Sequence, residues 1–190
     1  MLLTLTGGAG AGKTTLATAL AATADGRTVR LLHGDDYYVT DREQGVWARD
    51  EGGTWRLDVG DPRSIDAERL ALEVDAALAG AAVVVLEGLF AERVVPRTPG
   101  ARFDVFVDLP ADLRLARKIQ RKVLREGFPL EVLLRNYLEH RRAAHERHIE
   151  PARHRADLVV DGAWAPEPLA RQIWSALAPA CGEALDRVTG

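Results

Sequence analysis

The chain has a single cysteine, Cys181, among 190 residues. No internal disulfide can form, so the fold must rest on a packed core rather than on covalent staples. Long apolar runs are missing as well. The best candidate, AAVVVLEGLF, is broken by charge and glycine and falls short of the roughly 20 residues that span a bilayer. The opening MLLTLTGGAG has neither a basic leader nor an apolar stretch long enough for a secretory signal, so a reducing cytoplasm is the expected compartment. Aromatic residues are few, with 4 Trp, 3 Tyr and 4 Phe, yet Tyr37, Tyr38, Trp47 and Trp55 crowd one short stretch. They form either a stacking wall for a planar substrate or the small core of a subdomain.

Two further signatures are absent. His140, His145, His148 and His154 lack the i, i+4 pairing of a zinc helix and have no cysteine near them, so they are expected to be solvated side chains. Glu139, Glu146 and Glu150 interrupt the basic residues around them, which argues against a nucleic-acid face. No Asn-Lys-x-Asp segment of the guanine-reading kind occurs, which counts against a GTP switch.

What is present is an ordinary globular composition, 47% apolar and 28% charged, in a length that suits one domain over residues 1–190. The net charge of -3 conceals a division. Asp35 to Arg69 is rich in Asp and Glu, whereas Ala111 to Val160 is rich in Lys and Arg. Acidic segments suit magnesium and sugar hydroxyls and basic ones suit polyphosphate, although solvated helices also carry unbalanced charge.

Five short apolar runs read as strands: Met1 to Thr6, Thr28 to His33, Ala82 to Leu86, Phe103 to Leu109 and Asp157 to Val160. Helical patterns separate them at Thr14 to Ala24, from a Ser64 or Asp66 cap to Gly80, from Pro110 to Gly127, from Pro129 to His148, and after Pro166. Apolar strands alternating with helices predict an α/β fold, a parallel sheet covered on both faces. Gly34 to Pro62 has no periodicity and is read as an acceptor-binding region, within a subdomain at about 36–80.

Gly7-Gly8-Ala9-Gly10-Ala11-Gly12-Lys13-Thr14 matches the phosphate-binding loop pattern, and it lies between a strand and a helix as the chemistry requires. Glycines let backbone N–H groups wrap the phosphates, Lys13 reaches the β- and γ-phosphates, and the Thr14 hydroxyl ligates magnesium. Thr15 continues the same nucleotide-binding set. ATP and Mg2+ are therefore the expected cofactors, but switches, motors and small-molecule kinases share this loop.

Discrimination comes from the acids and the basic helix. Glu87 ends the run VVVLEG at the carboxyl edge of the sheet, where it can serve magnesium. Asp35 and Asp36 follow the second strand. An Asp there can take the proton of an attacking hydroxyl, or it can cap a turn. Arg114, Arg117, Lys118, Arg121 and Arg125 recur at helical spacing within 112–128, which reads as a lid over polyphosphate or as a solvated basic face.

Together GGAGAGKTT, HGDDYY, VVVLEGLF, VFVDLPADLRLARKIQRKVLREG and NYLEHRRAAHERHIEPARHRADLVVDG resemble the uridine kinase family of P-loop kinases, which is itself similar to nicotinamide riboside kinases and phosphoribulokinases. That resemblance implies a P-loop NTPase fold with a five-stranded parallel sheet, a small acceptor subdomain and an arginine-rich lid. It implies that Asp35 is the catalytic base and a metal-site acid, that Thr14 and Glu87 serve magnesium, and that Arg117, Lys118 and Arg121 clamp the triphosphate. Tyr38 joins Asp35 on the acceptor side, and Asp58, or Asp61 in another register, would hold the acceptor hydroxyls.

Two positions depart from the family pattern. Phe128 stands where uridine kinases place an Arg at the end of the lid, and Asn136 stands where they place Gln before Tyr137. An aromatic ring cannot supply the donors a polar base needs, so the acceptor stays open. A nucleoside or similar metabolite is the leading reading. The rivals are a sugar phosphate or pantothenate-like alcohol, and a nucleotide-binding regulator without acceptor chemistry. The expected partners are a nucleoside triphosphate and a small-molecule acceptor, with neither nucleic acid nor membrane.

Overall fold

A computed structural model describes residues 1–49 and 53–186, with side chains through residue 177. Asp50 and Glu51 of the acidic segment, and the thiol of Cys181, lie outside that description. In chain order the main elements are β1 (Leu2–Thr6), α1 (Lys13–Ala22), β2 (Val29–His33), β3 (Trp47–Arg49), β4 (Trp55–Leu57), α2 (Ala67–Gly80) and β5 (Val83–Gly88). They are followed by β6 (Arg102–Asp108), α3 (Ala111–Ile119), α4 (Leu130–Asn136), α5 (Arg142–His148), β7 (Leu158–Asp161) and α6 (Pro166–Asp186).

Five strands form one parallel sheet in the order β2-β5-β1-β6-β7. Side chains alternate across it with the two-residue strand period. Leu3, Leu5, Val83 and Val85 point to one face, where they pack with Leu16 and Leu20 of α1 and Ile173 and Leu177 of α6. Leu2, Val84 and Leu86 point to the other and meet Leu70 and Val74 of α2. Because β1 and β5 are buried on both faces, their sequences are mostly apolar, and the polar residues they do carry, Thr4, Thr6 and Glu87, are buried with them.

Parallel strands place all their carboxyl ends on one edge. In register, Thr6 of β1 lies beside Gly88 of β5, and Glu87 lies beside His33 of β2. The loops leaving that edge therefore converge, as ligand-binding loops do in open α/β sheets.

The predicted helices form, with Asp66 capping α2 by accepting from the Arg69 N–H at 3.0 Å. Two features lie beyond the sequence patterns. β3 and β4 pair as a short antiparallel hairpin, the helix that begins at Ala111 ends in a π-helical segment, Gln120–Arg125, and the helical stretch from Leu130 to His148 is interrupted by another, Tyr137–Arg141. Buried Ser64 ties the hairpin down, donating to the Asp58 carbonyl at 2.7 Å and accepting from the Val46 N–H at 3.3 Å. No helix among the described residues is long and apolar enough to cross a membrane.

Candidate active site

The loop after β1 turns on glycine. Gly10 and Gly12 hold φ of 88° and 102°, the left-handed region that side chains avoid, and a Cβ on Gly10 would stand 2.8 Å from the Arg114 carbonyl oxygen. The loop delivers the chain to α1, whose unpaired N-terminal N–H groups face the concavity. Lys13 is buried beneath, and its Nζ donates to the carbonyls of Gly7 at 3.0 Å and Gly8 at 3.2 Å. Burial lowers its pKa, while Glu87 and Asp35 oppose that shift by favouring the cation.

Glu87 is also buried, at 6% exposure, and a buried carboxylate needs partners. Its Oε1 accepts from the Thr14 hydroxyl at 2.9 Å and lies 3.0 Å from His33 Nδ1. The strand register had placed His33 beside it, a relationship no sequence motif announces.

Asp35 sits in a short 3-10 turn over Gly34–Tyr37, on the wall of a cleft of about 640 Å³. The carboxyl is open to that cleft, but the protein around it raises its pKa by desolvation. Lys13 pulls the other way, and Glu87 adds to the rise. The same cleft is lined by Ala9 through Thr15, Tyr38, Glu87, Arg117, Lys118 and Arg121. Arg117 Nη1 donates to the Gly162 carbonyl at 3.0 Å, which ties the basic helix to the turn after β7. The structure brings the loop and three cations expected at the nucleotide, and Asp35 and Tyr38 expected at the acceptor, together with Glu87 in one cavity. Gly7 and Gly8 contribute carbonyls to Lys13 rather than wall.

Several residues of this cavity carried no signal. Trp164, 66% exposed, and Pro166 form its outer rim beyond Gly162. Arg114, one of the cations that helical spacing singled out, lies outside this cavity and against the phosphate loop, where it donates from Nε to the Leu109 carbonyl at 2.9 Å and approaches His145 Nδ1 at 3.4 Å. His145 is therefore not the solvated residue expected. Its Nε2 is 3.1 Å from Glu150 Oε2, and burial and then Arg114 lower its pKa. Spacing along a helix does not reveal that α5 sets His145 beside Arg114 of α3.

The aromatic cluster divides. Tyr37 joins the core with Arg69 over its ring at 4.8 Å. Trp47 bonds to the Gln44 carbonyl at 2.7 Å, and Arg49 covers Trp55 at 5.0 Å. Only Tyr38 of the four lines the cleft, with its hydroxyl donating to the Val59 carbonyl at 2.9 Å, so these residues build no stacking wall. Burial and the Asp35 charge raise the pKa of Tyr38 and keep it protonated.

A second cleft of about 470 Å³ adjoins the first, sharing Ala9, Val59, Leu89 and Lys118 with it. Near its rim Asp58 Oδ1 accepts from Arg141 Nη1 at 2.7 Å and from the Gly60 N–H at 2.9 Å. Asp61 is instead closed on Arg63, accepting from its backbone N–H and its guanidinium at 2.8 to 3.0 Å. Phe128, 41% exposed, lies between the first π-helical segment and α4, and Asn136 is exposed at the end of α4; neither lines either cleft.

A parallel sheet with a phosphate loop after its central strand, two acids on neighbouring strand ends and a basic helix above them defines a P-loop phosphotransferase acting on a hydroxyl acceptor. Residues 57–164 match the Phosphoribulokinase / Uridine kinase family, and the chain belongs to it. It is similar to proteins named uridine kinase from Deinococcus deserti, at 29% identity covering 85% of this chain and 87% of that one, and from Halobacterium salinarum, at 28% identity covering 82% and 77%. Among solved structures it resembles a shikimate kinase from Acinetobacter baumannii (TM-score 0.57, 19% identity, covering 94% and 93%). It also resembles a gluconokinase from Sinorhizobium meliloti (TM-score 0.58, 18% identity, covering 97% and 95%). Those two likenesses are of fold.

Proposed function

We propose that the protein is an ATP-dependent kinase that transfers the γ-phosphate to a hydroxyl of a nucleoside or similar small metabolite, in the manner of the uridine kinases it is similar to. The observation that carries this reading is that Asp35, Lys13 and the Thr14–Glu87 pair open onto one cleft that continues into a second. A nucleotide switch needs the first cavity but not the second.

In this reading the loop N–H groups and Lys13 hold the β- and γ-phosphates, and Arg117, Lys118 and Arg121 close on them from α3 and the turn beyond it. Thr14 and Glu87 offer hard oxygen donors, a set that fits magnesium, which is held by one or two protein oxygens together with phosphates and water. Magnesium, when bound there, neutralises charge on the β- and γ-phosphates. Asp35 accepts the proton of the attacking hydroxyl, and the desolvation that raises its pKa makes it a better base. Tyr38, fixed by Val59, stays neutral beside it. Incubation with magnesium ATP and a panel of nucleosides and small alcohols, read by mass for the gain of one phosphoryl unit, tests the reading. ATP binding with no phosphorylated product across the panel would favour a regulator instead.

A further inference from the structure

The wall of the second cleft that faces α3 comes from a π-helical turn. Tyr137 and Arg141, its first and last residues, both line the cavity. Turns of this type are rare and recur at functional sites. The Arg141 guanidinium spends only Nη1 on Asp58, and it has no other protein partner among the described residues.

Asp58 itself does not line either cleft. It stands behind Arg141, and the adjoining Gly60 lets the two come together, since a Cβ there would stand 2.9 Å from Ala144 Cβ and 3.1 Å from Arg141 Nη1. The acid is a bracket, and the cation is what faces the cavity. Lys118 lines the cleft too, half-buried and with no acid partner among the described residues. Arg114 and Arg142 complete the basic lining. The acids there are Asp112 and Glu146, and Glu146 is already paired with Arg142 at 3.2 Å. Leu115 and Ile149 supply apolar walls, in which a charge pair is less screened than in water. Arg141 is near enough to Tyr38, which lines the phosphate cleft, and to Lys118, which lines both clefts, to act on the ionisation of each.

We propose that Arg141, positioned by Asp58, is the specificity-determining residue of the acceptor cleft, and that with Lys118 it takes an anionic group, a carboxylate or a phosphate, carried by the alcohol being phosphorylated. This rests on the kinase reading above and narrows it. Guanidinium groups bind such anions through paired N–H donors, and Arg141 keeps donors free for the purpose.

The test arranges the alcohol panel as pairs that differ in one anion, D-ribose against D-ribose 5-phosphate and pantothenol against pantothenate, with uridine and cytidine as uncharged nucleosides. In magnesium ATP, the anionic member of at least one pair is expected to exceed its neutral partner and both nucleosides in kcat/KM by about 10-fold or more. R141M then raises the KM for that acceptor by about 10-fold, leaves the KM for ATP within about 2-fold, and erases the preference. D58A shifts the same KM in the same direction, and R141K restores part of it, whereas a purely structural role would lower the melting temperature and move both KM values. A neutral alcohol that outperforms every anionic one overturns the inference and leaves the kinase reading standing, as does an unchanged preference in R141M. Absence of product from all of them overturns the kinase reading, and this inference falls with it.

Discussion

Thr14 and Glu87, one in the first turn of α1 and the other at the end of β5, are joined by a 2.9 Å hydrogen bond across the carboxyl edge of the sheet. In the proposed reading these two residues would hold magnesium, and the bond keeps their oxygens together. Glu87→Gln keeps the shape and the bond to Thr14 while removing the charge. We expect the free magnesium needed for half-maximal ADP release to rise about 10-fold and kcat to fall by about 10², with little change in melting temperature. An unchanged magnesium requirement would remove Glu87 from the metal site.

Asp35 makes two predictions of opposite sign. Its loss as a base should lower kcat by roughly 10²–10⁴ in Asp35→Asn. Its effect on stability follows from linkage. The folded pKa is raised by burial, so the folded state binds the proton more tightly than the unfolded state does. The stability this contributes is complete below the unfolded value and is lost as pH rises through the folded one. At neutral pH the native carboxylate is therefore a small liability, and Asp35→Asn should unfold at equal or higher urea concentration than wild type. Wild-type turnover should rise with pH as Asp35 ionises. A variant that is both inactive and clearly less stable would point to a structural role instead.

Trp164 stands on the outer rim of the phosphate cleft, 66% exposed and held in a turn by its N–H bond to the Asp161 carbonyl. An indole so exposed adds little to folding, but it offers a face on which a nucleotide base can stack. Trp164→Ala should raise the KM for ATP about 5- to 10-fold, since stacking on an aromatic is worth about 1–3 kcal/mol per base, and leave kcat and the melting temperature near their original values. Quenching of tryptophan fluorescence by ATP should weaken in the same variant; equal quenching in both proteins would exclude Trp164 from the base site.

The contrast between Lys13 and Arg141 shows which parts of this molecule were legible in sequence. Lys13 belongs to a contiguous loop whose chemistry dictates its spacing, so strand, loop and helix announce it together. The β1, β5 and β6 strands were legible for a related reason, because burial in the sheet makes most of their residues apolar. Arg141 and Asp58 are 83 positions apart, one at the end of a π-helical turn and the other just after β4, and they meet only in the fold. No periodicity encodes that contact. His33 and Glu87 meet through strand register, which is likewise a property of the sheet rather than of either segment. The four aromatics near the hairpin left two readings open for the same reason, since composition locates them but not the direction in which they point.

Asp61 is a structural acid, unlike the acids to which the proposed function gives a role. In sequence it was interchangeable with Asp58, but in the fold it caps the turn Pro62–Ser64 and is clasped by Arg63 at 2.8 Å. Its hydrogen bonds from Arg63 hold the carboxyl at about 2, well below the ordinary 3.8. A depressed folded pKa contributes stability that is present above the unfolded value and lost as pH falls through the folded one. Asp61→Asn should therefore cost about 1 kcal/mol at neutral pH, a value reduced by solvent around the exposed Arg63. The gap between wild type and variant in urea denaturation should hold from pH 7 to about 5 and shrink steadily below about 4. The KM for the acceptor should stay within about 2-fold of wild type, unlike that of Asp58→Ala. A stability gap that persists undiminished at about pH 3 would show that the Asp61 side chain acts through packing and not through its charge.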